Sequence, residues 1–125
     1  RLVGSEMCIR DSTDGISKVL NSVSPNTTVF IPTNFNTKIL KPIPSNIQIV
    51  TNKYFQYLNS DLYSLTMNGE SSELFRITEQ VLIFDTPLGL IIITGCGHPG
   101  VVNILKKIQK YCNSNIYALV GGFHL

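Results

Sequence analysis

The residues best suited to chemistry in this 125-residue chain lie in two short glycine-bearing strings, Gly95-Cys96-Gly97-His98-Pro99-Gly100 and Gly121-Gly122-Phe123-His124-Leu125, which hold both of its histidines. His98 is expected beside a helix N-terminus, where the positive end of the backbone dipole disfavours imidazolium and keeps the ring able to ligate a metal. A capping or hydrogen-bonding histidine in a tight turn is the alternative. Cys96, two residues earlier, raises a second chemistry, a thiol nucleophile with His98 as its base. Two imidazoles fall short of the three protein ligands that catalytic zinc usually takes, so a metal site would need further groups. Among the carboxylates, Glu79, Asp61 and Glu73 have no spacing that ties them to His98, and Asp85 falls in a turn at the far end of a hairpin. All four are read as structural.

The elements that must carry these residues follow from the apolar pattern. Leu90-Ile91-Ile92-Ile93-Thr94 is a continuous apolar, β-branched run of the kind expected of a central strand covered on both faces. Gly95, Gly97 and Gly100 allow the chain to turn sharply, and Pro99 suits the first position of a helix. Val101, Ile104, Leu105, Ile108 and Cys112 recur at helical intervals with Lys106, Lys107, Gln109 and Lys110 opposite. Ile116 to Val120 returns as a strand. The resulting βαβ unit needs a crossover of this length to be parallel, so His98 and His124 both follow strand carboxyl ends at one edge of the sheet, where open α/β sheets place ligands.

Upstream, Glu79 to Phe84 and Leu90 to Thr94 flank the turn signal Asp85-Thr86-Pro87-Leu88-Gly89 and predict an antiparallel hairpin. Two short antiparallel strands are expected between Asn52 and Met67, and an exposed loop from Asn68 to Leu74. A short helix is expected over 14–23, strands at Thr28–Ile31 and Ile47–Val50, and a helix of two turns over 34–40.

Residues 1–12 resemble a translated sequencing-adapter scar and are set apart from the fold, where they should pack against nothing; 13–125 is one domain or part of one. A formal net charge of +2 gives no footprint for nucleic acid, and the lysines at 106, 107 and 110 read as a solvated helix face. Cys96 and Cys112 make no disulfide framework, and no apolar stretch approaches the ~20 residues that span a bilayer. A soluble, reducing, cytoplasmic setting with a small-molecule substrate is expected.

The run from Glu79 to Ile104, with Gly121-Gly122-Phe123-His124-Leu125 after it, resembles the metallo-β-lactamase-fold hydrolases grouped with a dihydropterin ribofuranosylaminobenzene phosphate synthase. The resemblance implies an α/β fold, part of an αββα sandwich whose mixed sheet ends in a βαβ unit. It implies a site for one or two divalent ions, zinc first, with manganese or iron as alternatives. His98 maps onto a metal-binding histidine, and His124 onto a ligand or near-site residue. The group's H-x-H-x-D-H motif should lie before residue 13 and a further histidine motif after Leu125. The chain is therefore expected to be a piece of a hydrolase of esters or phosphoesters, inactive by itself. The Cys96/His98 nucleophile and a non-catalytic α/β binding module stand as alternatives.

Overall fold

A computed structural model describes residues 15–40, 42–69 and 78–123. The expectations for residues 1–12, for most of the loop after Asn68 and for His124 lie outside the described residues. The chain divides into two compact units, Arg1–Thr51 and Asn52–Leu125.

In the first unit, helix α1 (Ile16–Ser22) ends where Val23 turns extended, two residues ahead of Pro25. Strand β1 (Thr28–Pro32) pairs with β2 (Gln48–Asn52). Leu20, Ile31 and Leu40 are buried together, flanked by Ile16, Val29, Phe35, Ile47 and Ile49. The two-turn helix expected over 34–40 is instead a single 3-10 turn, Thr37–Leu40. Asn36 explains part of the shortening, because its side-chain oxygen accepts from the backbone N–H of Lys38, a local bond that competes with helix formation.

The second unit is a five-stranded sheet in the order β3-β4-β5-β6-β7. Its strands are β3 (Phe55–Asn59), β4 (Leu62–Asn68), β5 (Thr78–Thr86), β6 (Gly89–Thr94) and β7 (Ile116–Gly121), with helix α2 (Val101–Ile108) between the last two. Pairing is antiparallel from β3 to β6 and parallel between β6 and β7. The hairpin and the parallel βαβ unit stand where the apolar pattern placed them.

Side chains alternate across a strand, so Leu65, Val81, Ile83, Leu90 and Ile92 share one face, on which Ile104 and Ile108 of α2 close; all seven are fully buried. A buried aliphatic side chain of this size contributes about 1.5–3 kcal/mol, so this stripe fixes the helix on the sheet and the turn before the helix with it.

The opposite face departs from expectation. Ile91 is half-buried, while Ile93 and Val120 are 39% and 55% exposed. The continuous apolar run of β6 is thus enclosed on the α2 side and part-covered on the other. Helix α2 also begins later than Pro99 suggested. Gly100, with φ of 82°, is its N-cap, and a turn closed by Gly100 N–H to the Gly97 carbonyl (2.9 Å) precedes it. Pro99 and His98 lie in that turn rather than in the helix, and Asn103 Nδ2 donates to the Pro99 carbonyl at 3.0 Å.

Candidate metal centre

Strand register assembles the site. The β5–β6 ladder runs Thr86↔Gly89, Asp85↔Leu90, and on to Val81↔Thr94, one residue along each strand per step. Two further steps set Glu79 alongside Cys96, just past the carboxyl end of β6. Because Glu79 follows the period of Val81 and Ile83, it belongs to the face that α2 covers. Reading Glu79 as unconnected to His98 is corrected by this register: the partner is fixed by the hairpin and not by any spacing along the chain.

The resulting contacts are specific. Glu79 Oε2 accepts from the backbone N–H of Gly97 at 3.0 Å, and Glu79 Oε1 is in direct contact with Nδ1 of His98. The two side chains are only 12% and 8% exposed, respectively. A carboxylate this far out of water would be costly unless paired, and here both of its oxygens are engaged. Cys96 is half-buried beside them. One ligand-type atom from each of Glu79, Cys96 and His98 lies within 4.8 Å of the others. A carboxylate, a thiol and an imidazole at this separation form a donor set that suits a borderline-soft divalent ion such as zinc.

The second string reaches the same edge. Gly121 pairs with Thr94 at the end of the parallel ladder, and the N–H of Gly122 donates to the Gly95 carbonyl at 2.7 Å. This approach requires glycine in the first turn: Gly97 has φ of 74°, and a Cβ there would stand 2.8 Å from the Gly122 carbonyl oxygen. The turn carrying Cys96 and His98 is therefore held against the segment that leads into His124.

Asp61 and Asp85 stay apart from this edge. Asp85 is opposite Leu90 near the hairpin turn, its N–H donates to the Asp61 carbonyl at 2.8 Å, and its carboxylate accepts from Ser114 Oγ at 3.5 Å. Glu73 lies outside the described residues.

No protein-family model matches the chain. Over 41 residues, 32% of its length, it is 54% identical to the 7,8-dihydropterin-6-methyl-4-(β-D-ribofuranosyl)-aminobenzene-5'-phosphate synthase of Methanocaldococcus jannaschii. Among solved structures it is similar to Tm1679, a metal-dependent hydrolase of the β-lactamase superfamily, with a TM-score of 0.54 and 27% identity over 64% of this chain. The mixed α/β fold of the matched part is similar to that of a metallo-β-lactamase-superfamily hydrolase. The chain spans 14% of the synthase and 38% of the hydrolase. Both likenesses agree with the group that the glycine-cysteine-glycine-histidine string resembles.

Proposed function

We propose that this chain is part of a metal-dependent hydrolase in which His98 and His124, with Cys96 beside them, contribute to a site for one or two divalent ions, zinc first and manganese or iron as alternatives. The observation that carries the reading is the gathering of Cys96 and His98 at the carboxyl end of β6, with the Glu79 carboxylate against the His98 ring, ligand-type atoms of all three within 4.8 Å, and the Glu79 and His98 side chains largely shielded from water. Further ligands come from the rest of the protein.

An ion held there supplies Lewis acidity toward an ester or phosphoester oxygen. What this chain's residues contribute is positioning. Strands β5 and β6 fix Glu79 and Cys96, and the Gly97–Gly100 turn sets the direction of the His98 ring. The Gly122 to Gly95 hydrogen bond draws the Gly121–Gly122 segment to the same edge. The substrate class proposed is a phosphoester, with a phosphate-bearing pterin the leading instance because the synthase it resembles carries that group in its name.

The full-length protein, loaded with zinc and assayed against a chromogenic phosphodiester, should turn over in a chelator-sensitive manner, and His98→Ala should lower turnover by at least about 10–100-fold, the cost of losing a group behind a metal ligand. Chelator-insensitive turnover would refute the reading.

The contact between Glu79 and His98 also supports a second reading, because a nucleophile, a base and a group that orients the base are the three parts of a Cys-His-carboxylate arrangement. It predicts that alkylating Cys96 abolishes turnover while a chelator does not. The metal reading predicts sensitivity to the chelator.

A further inference from the structure

We infer that Glu79 is a positioning residue rather than a metal ligand: its carboxylate fixes His98 as the Nδ1–H tautomer and pins the turn that carries it, so that Nε2 is the nitrogen presented to a ligand. This deepens the metal reading above and rests on it only for what Nε2 faces.

Three observations carry it. An ionised carboxylate only accepts hydrogen bonds, so contact between Glu79 Oε1 and His98 Nδ1 requires Nδ1 to be the donor; in a neutral imidazole the lone pair then resides on Nε2. Oε1 faces the Nδ1 edge of the ring, so the edge bearing Nε2 is turned away from the carboxylate. The other oxygen, Oε2, is taken by Gly97 N–H at 3.0 Å, so each oxygen is committed to the turn.

The arrangement is bidentate in a useful sense. One oxygen holds the backbone one residue before His98 and the other holds its ring, so the carboxylate sets both the direction of the Cα–Cβ bond and the rotation of the imidazole. Glu79 itself is on β5, where Met67 of β4 is its ladder partner, so its own position is set by that pairing. A carboxylate behind a ligating histidine raises the basicity of the ring and fixes its orientation, and losing such a partner costs about 10–100-fold in metal affinity.

The test uses the full-length protein with Glu79→Ala and Glu79→Gln. Long-range proton–nitrogen NMR of the metal-free protein reports the His98 tautomer, with His98→Asn identifying its resonances. Wild type should be the Nδ1–H form and Glu79→Ala should move toward Nε2–H, while Glu79→Gln, with one acceptor oxygen for the two donors Nδ1–H and Gly97 N–H, should fall between them. Cobalt(II) affinity by chelator competition should fall about 10–100-fold in Glu79→Ala and by a smaller factor in Glu79→Gln. A wild-type Nε2–H tautomer overturns the inference. So does a Glu79→Gln variant that loses cobalt as fully as Glu79→Ala, the behaviour of a direct ligand. Absence of cobalt binding by wild type would refute the metal reading, and the tautomer measurement would then decide the role of Glu79 by itself.

Discussion

Strand β6 ends in a turn at each side, and the two are stabilised in opposite ways. The turn before it, Thr86 to Gly89, is closed by its own residues: Thr86 Oγ1 donates to the Gly89 carbonyl at 2.6 Å and accepts from Leu88 N–H at 3.3 Å. The turn after it, Gly95 to Gly100, depends on residues far along the chain. Gly97 N–H and the His98 ring are held by Glu79, and the Gly95 carbonyl is held by Gly122. A turn whose side-chain hydrogen bonds are its own gathers no set of ligand-type groups, although Gly89 also lies close against the Asn115 carbonyl. A turn whose polar groups are satisfied by distant strands exists only in the folded protein, and it concentrates a carboxylate, a thiol and an imidazole in one place.

This contrast can be broken most forcefully at the junction of β6 and β7. A Cβ at Gly121, where φ is 148°, would stand 2.1 Å from the Thr94 carbonyl oxygen, so Gly121→Ala must displace backbone and should cost on the order of 3 kcal/mol or more. At Gly95 a Cβ meets nothing within 4 Å, and Gly95→Ala should stay within about 0.5 kcal/mol. Denaturant melts of the two variants check this. Equal losses would mean that the far turn is not locked by the close approach of β7.

At the other end of β6, Thr86→Ala removes two hydrogen bonds and should destabilise by about 1 kcal/mol. Metal affinity should not change, since the hairpin turn and the Cys96–His98 turn are separated by the length of β6. A drop in cobalt affinity in Thr86→Ala would show that the two turns are coupled.

The smallest effect concerns pH near the hairpin end. Burial, and then the Asp85 carboxylate, raise the Cys112 thiol above its ordinary value of 9.0, and the same causes in the same order raise the Tyr63 phenol above 10.0. The native state therefore holds these protons more tightly than the unfolded chain does. The stability they contribute is complete below about pH 9 and is lost as pH rises through the raised values. Thermal melts between pH 8 and 11 should show this decline, reduced in Cys112→Ala. A decline of the same size in that variant would assign it to other groups.

What the sequence revealed and what it hid follow the same division. The β5–β6 hairpin, the α2 stripe and the parallel β6–β7 pair were legible because each is written in adjacent residues: a turn string, a 3.6-residue period, a crossover length. Cys96, His98 and the segment before His124 were legible as motifs at strand ends. Glu79 was not, because its link to His98 spans 19 positions and depends on strand register. The signal was nonetheless present: counting outward from Thr86↔Gly89 reaches Glu79 opposite Cys96. The start of α2 was misjudged because Pro99 suits a helix and only the positive φ of Gly100 places it in a turn. The half-exposed face of β6 was hidden for a similar reason, since an apolar run shows that a strand can be covered on both sides and not what covers it.

The central claim is that the edge where β6 and β7 end holds a divalent metal through His98. Equilibrium dialysis of the full-length protein against buffered zinc, wild type beside His98→Ala, tests it most directly, with circular dichroism confirming that both are folded. The account predicts tight binding by wild type and a loss of at least about tenfold in the variant. Indistinguishable zinc affinity in the two folded proteins would contradict it.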